Sequence, residues 1–144
     1  DLSPVRMLMI KVPRAEVRQA PDEKAPLAYE AEQDVVLELI DMAGNIITNL
    51  DNGEKQHDIY SLAALAAGNF GAVSAMAKII GESEFSLLFH KGKKENIHFN
   101  KISAEFLLIT IFGNEISLGF LRLKVSESVE QLKRILESLM AAHA

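Results

Sequence analysis

The sequence predicts an α+β domain, an antiparallel sheet with one helix set between its strands and a second, longer helix at the C-terminus. Three observations carry this. Short aliphatic segments recur between turn residues, a 19-residue stretch without charge is bounded by helix start and stop signals, and the C-terminal segment carries apolar residues at steps of three and four.

The chain has 144 residues, 49% of them hydrophobic and 24% charged, which suits one soluble domain with its own core. A net charge of −5 gives no pull toward phosphate backbones, and the basic cluster Lys91-Gly92-Lys93-Lys94 has no interleaved aromatics, so nucleic acid is not an expected partner. Cysteine is absent, which excludes disulfides, thiolate metal sites and cysteine nucleophiles. No strictly apolar run reaches roughly 18 residues, and no signal-peptide pattern opens the chain, so membrane insertion is not expected and the cytoplasm is the expected location.

Residues 1–33 read as an N-terminal arm or linker and 34–144 as the folded domain. Met7-Leu8-Met9-Ile10-Lys11-Val12 runs into Pro13, and Pro21 and Pro26 follow, which forbids a long helix there. Asp34 to Asp41 and Ile46 to Leu50 form a hairpin around Met42-Ala43-Gly44-Asn45, and Asp51-Asn52-Gly53 marks a loop.

Asp58 is a helix N-cap, with Ser61 in its first turn, and Gly81 stands where a left-handed residue ends the helix. Between them, Leu62, Leu65, Ala66, Asn69, Val73, Met76 and Ile80 are expected to face the core. Ala64, Gly68, Gly71 and Ala75 gather on the opposite side, with Lys78 at its end. Ile59 to Ala77 contains no Asp, Glu, Lys or Arg, so the helix lacks an ordinary wet face. Each helical glycine costs about 1 kcal/mol relative to alanine, a loss that makes sense where another backbone must come close. That backbone belongs either to the same chain or to another subunit or protein.

Phe85 to Phe89, Asn96 to Ile102 and Phe106 to Phe112 form a meander whose last member, unbroken by polar alternation, should be central and buried. Leu118, Leu121, Val125, Val129, Leu132, Leu136 and Leu139 define the core side of the terminal helix. Arg122, Lys124, Glu127, Glu130, Lys133, Arg134 and Glu137 are its solvated side or a partner-facing one.

Catalytic signals are weak. His57, His90, His98 and His143 stand in no metal-ligand spacing, and Ser61, Ser74 and Ser86 have no nucleophile-elbow context. No glycine-rich phosphate loop occurs, so no cofactor, metal or enzymatic activity is expected.

Ser61-Leu62-Ala63-Ala64-Leu65-Ala66-Ala67-Gly68-Asn69-Phe70-Gly71-Ala72, then Ala77-Lys78-Ile79-Ile80-Gly81-Glu82-Ser83-Glu84-Phe85, Phe89-His90-Lys91-Gly92, Ile111-Phe112 and Ser117-Leu118-Gly119-Phe120-Leu121-Arg122-Leu123 together resemble the roadblock / dynein light chain family, in its bacterial MglB-like branch. The likeness runs from about Asp34 to Ala142. It implies a roadblock (profilin-like) fold with a five-stranded antiparallel sheet, and a homodimer whose central helices lie side by side. In that dimer the third strand of each subunit pairs with its mate; by position this is Asn96 to Ile102, with Asn69, Ala72, Ile97, Phe99 and Lys101 at the interface.

It further implies a Ras-like small GTPase of the MglA type as partner, two copies of the regulator to one GTPase, in a role in cell polarity and motility. The regulator speeds GTP hydrolysis without inserting an arginine, by re-aiming the GTPase's own residues. Ala64, Gly68, Gly71, Ala75, Lys78 and Arg122 are the implied GTPase contacts. The family's long amphipathic helix before the first strand is interrupted here by Pro13, Pro21 and Pro26, so that helix is either short and displaced or replaced by an added arm. A structural adaptor dimer uses the same residues and stays open as a second reading, whereas a small-molecule sensor of the profilin or PAS type would need a pocket that the aliphatic strand Phe106 to Phe112 gives little room for.

Overall fold

The computed structural model describes residues 35–51, 57–85 and 88–142. The expected arm, 1–33, lies outside them.

Five strands, β1 (Val36–Asp41), β2 (Ile46–Asp51), β3 (Leu88–Lys91), β4 (Glu95–Lys101) and β5 (Phe106–Gly113), form one antiparallel sheet in the order β2-β1-β5-β4-β3. Helix α1 (Ile59–Ile79) falls between β2 and β3 in the chain, and helix α2 (Leu118–Ala142) closes it. The expected five-stranded α+β sheet is therefore present. β5 is central and buried along its whole length, because a helix covers each face of the sheet there.

The β1–β2 turn is fixed locally. Asp41 Oδ1 accepts from the backbone N–H groups of Ala43 at 3.0 Å and Asn45 at 2.8 Å, and Gly44 takes a φ of +91° that a side chain would strain. A Cβ on Gly44 would also come within 3.0 Å of the Ala64 Cα, so this glycine lets the turn touch α1.

One face of the sheet packs on α2. Val35, Leu37, Leu39, Leu108 and Phe112 meet Leu121, Val125, Leu132 and Leu136, with Leu118, Val129 and Leu139 at the margin, as the helical spacing predicts. Burying a leucine of this kind contributes about 2 kcal/mol over leaving it in water. The other face packs on α1 through Ile40, Phe99, Leu107 and Ile109, which meet Ala63 and Ala66.

Here the expected phase of α1 is corrected. The buried positions are Ala63, Ala66 and Ala77, whereas Leu65 is 72% exposed, Met76 54% and Ile80 67%, Asn69 is exposed, and Leu62 and Val73 are half-buried. Of the expected core stripe only Ala66 is fully seated. The physical reason is distance: alanines bring the helix axis close to the flat sheet, and larger side chains at those positions would hold it away.

The meander is also corrected in detail. The strand expected from Phe85 begins at Leu88, and Phe85 lies exposed before it. β4, expected as the strand that pairs with a mate, is hydrogen-bonded on both sides within the protomer, to β3 and to β5. The outer edge on that side of the sheet belongs to β3.

Candidate interaction surface

α1 begins as its sequence dictates. Asp58 accepts from the Ser61 N–H at 3.1 Å and from the Ser61 hydroxyl at 2.7 Å, and these bonds hold its carboxyl below the usual carboxylate range. At the other end Gly81 adopts a φ of +89°, and the Glu82 N–H donates to the Ala77 carbonyl at 2.8 Å.

Between the caps the helix carries three stripes, spaced roughly 120° apart when residues are placed at about 100° each. The first is the buried stripe of Ala63, Ala66 and Ala77, of which Ala63 and Ala66 seat the helix on the sheet. The second, fully exposed, is the small-residue stripe Ala64, Gly68, Gly71, Ala75 and Lys78. A Cβ built on Gly68 or Gly71 meets nothing within 4 Å, so neither glycine serves a close contact with the described residues of this protomer. The possibility that the stripe packs beneath its own chain is thereby answered for the described residues.

The third stripe is an apolar ridge of Leu62, Leu65, Asn69, Ala72, Met76 and Ile79, with Ile79 83% exposed. These positions follow steps of three and four, the heptad spacing of helices that pack side by side, with one asparagine in the seam. The ridge overhangs β4: Leu62 and Leu65 line a groove of about 380 Å³ with Ile97, Ile111, His57 and Glu95. The small stripe instead lies on the side of the β1–β2 turn, where Gly44 meets Ala64.

Ile59–Ile79 is also long and apolar enough to cross a membrane by length and composition. Counting strictly apolar runs in the sequence missed this, because glycine, serine and asparagine interrupt them. In this fold the helix lies along the sheet.

The remaining expected residues separate. Asn69, Ala72 and Lys101 are exposed, Ile97 is half-buried, and Phe99 is 7% exposed beneath α1. Phe99 is part of the core within the protomer, because on β4 its side chain alternates onto the face that α1 covers. Arg122 is exposed on the first turns of α2, on a different helix from the small stripe, and lines a cleft that also takes in His98, Ser74 and Lys101.

Comparison with solved structures decides the family. Myxococcus xanthus MglB is 38% identical, over 78% of this chain and 90% of that one, with a TM-score of 0.66. The chain belongs to the MglB family of roadblock proteins. The gliding protein MglB of Thermus thermophilus is 25% identical, with 94% of this chain and 93% of that one aligned and a TM-score of 0.71. A Roadblock/LC7 domain from Streptomyces avermitilis shares the fold at 14% identity, covering 71% of this chain and 84% of that one, with a TM-score of 0.63. No family model and no curated protein sequence matches the chain.

Within this MglB-like frame the histidines are structural neighbours of different kinds. His90 sets its ring edge-on to Phe99 at 5.8 Å. His57 stands 3.6 Å from Glu95 and 4.0 Å from Asp51. His98 is buried in β4, and burial, with the Arg122 charge adding, pushes its pKa down to about 4, so it is neutral near neutral pH. His143 lies outside the described residues. No group of three metal-ligating side chains comes together among the described residues.

Proposed function

We propose that this MglB-family chain is a cytoplasmic homodimer that binds a Ras-like GTPase of the MglA type and stimulates its GTP hydrolysis. The observation that carries the reading is the outer side of α1, which over 19 residues has no charge and, beyond the β1–β2 turn at Ala64, no cover among the described residues, yet divides into a heptad-spaced ridge and a strip without side-chain bulk. A solvated helix surface has no use for either pattern.

The two stripes suit two different neighbours. The ridge leans over β4 toward the free edge of β3, so a second copy that extends the sheet edge to edge through β3 would bring ridge against ridge, with Asn69 setting the register. Asn69, Ala72 and the exposed Leu65 and Met76 then serve the dimer. The small stripe is left open on the other side, where Gly68 and Gly71 admit the backbone of a partner, and Lys78 adds a charge at its end. Phosphoryl transfer in Ras-like GTPases is limited by the positioning of the GTPase's own groups, so a surface that clamps and re-aims them is sufficient for activation. Arg122 has a weaker claim as a contact because it stands on α2 and not on that stripe.

The test is GTP hydrolysis by an MglA-type GTPase with and without this protein, alongside sedimentation of the protein alone. Acceleration together with a dimer supports the proposal. Tight binding at an unchanged hydrolysis rate would make the chain an adaptor.

A further inference from the structure

Beneath α1 the sheet carries a carboxyl that its packing does not account for. Glu38 lies mid-way along β1, is 0% exposed, and neither of its carboxyl oxygens has a hydrogen-bond partner among the described residues. Its register neighbours are Ile109 on β5 and Asn49 on β2. Because Leu37 and Leu39 pack toward α2 while Ile40 and Ile109 pack toward α1, alternation along the strand places Glu38 on the α1 side.

Among the described residues the groups that could answer a charge there are few. From β1 itself the same side offers Val36 and Ile40, and from β5 Leu107, Ile109 and Ile111. β2 contributes Asp51, a like charge, and residues 59–77 of α1 contribute no charged side chain. His57, ahead of the helix, stands 4.0 Å from Asp51 and 3.6 Å from Glu95, and Asp58 caps α1. Among the described residues an ionised Glu38 is thus relieved chiefly by water, and the layer over it is α1, seated on the sheet through Ala63 and Ala66 with Ala67 and Phe70 beside them.

We propose that Glu38 is a pH-responsive latch under α1: protonated, it lets the helix sit on the sheet, and ionised, it loosens that seat and with it both outer stripes. The proposal rests on reading α1 as the interaction helix. Burial, with the nearby Asp51 charge adding to it, raises the Glu38 pKa from 4.5 to about 7. For a carboxyl raised on folding, the seated state holds its proton where an open state has already lost it. Seating is then strongest below the open-state value, weakens as pH rises between the two, and levels off above the folded value.

The experiment is amide hydrogen exchange of α1 and α2 in the same sample at pH 6 and pH 8, corrected for intrinsic rates, with the self-association constant measured by sedimentation at both pH values. Opening of α1 relative to α2 should rise about tenfold from pH 6 to pH 8, as linkage with these two pKa values requires. In Glu38→Leu the ratio should not change, and Glu38→Gln, which cannot ionise, gives the same reading should the leucine variant fail to fold. A pH-independent ratio in the wild type, or a dependence that persists in the variants, overturns the latch. If α1 opening follows pH while self-association and GTPase capture do not, the latch stands and the reading of α1 as the interaction helix falls.

Discussion

The two helices lie on opposite faces of one sheet and solve the same packing problem in opposite ways. α2 presents leucines and valines to the sheet and charged residues such as Glu127, Glu130 and Arg134 to water. α1 presents alanines to the sheet and leaves Leu65, Met76 and Ile79 outside. A helix that uses its small residues for its own core and exposes its large ones has its favourable burial still to come. α2 therefore holds the fold, and α1 leaves apolar surface exposed beside it.

That contrast can be broken most sharply on the small stripe. Gly71→Arg should abolish GTPase capture, a loss of roughly a hundredfold or more, while circular dichroism stays that of the parent and thermal unfolding stays level or shifts upward. The space around Gly71 admits any side chain within the protomer, and arginine is a far better helix former than glycine. Undiminished capture in a pull-down would remove the stripe from the binding surface.

On α2 the effect should fall on stability instead. Leu121→Ala deletes a side chain that is 1% exposed between the helix and the sheet, and should cost about 2–5 kcal/mol in denaturant unfolding. Leu65→Ala on α1, where the leucine is 72% exposed, should leave unfolding of a dilute monomer within about 0.5 kcal/mol of the parent and weaken self-association. Equal stability losses at the two positions would show that the helices are packed alike.

Ala63→Leu probes the seat of α1. Ala63 is fully buried against the sheet, and three extra carbons there should destabilise the protein by about 1–3 kcal/mol through overpacking. A leucine accepted at no cost would place the close approach elsewhere.

How far the sequence disclosed all this follows from the same contrast. The phase of α2 is legible because apolar and charged residues occupy different sides, and the strands are legible from their turns, as with Asp41, Gly44 and Gly92. The ends of α1 are equally plain, since Asp58 and Gly81 act through local bonds. Its phase is not, because a helix that is apolar all round gives no contrast, and ranking residues by size picks the wrong side where the sheet demands small ones. Pairing partners were hidden for a different reason: Asn96 to Ile102 reads as a strand, but whether it lies at an edge depends on where the short β3 attaches. Glu38 did leave a signal, a carboxylate between Leu37 and Leu39 in a segment otherwise aliphatic on both sides.

The smallest change is the most discriminating. Gly68→Ala adds one methyl group at a position where a Cβ meets nothing within 4 Å, so the free protomer should gain up to about 1 kcal/mol from helix propensity alone. If the stripe only faces water, nothing opposes that gain and GTPase capture is unchanged. If a partner backbone comes within van der Waals distance of Gly68, the methyl must displace it, and capture should weaken several-fold while unfolding shifts upward. Opposite signs in the two measurements on one variant cannot come from damage to the fold, since damage would lower both. A rise in stability with capture intact would leave the glycine without the role its cost to the helix implies.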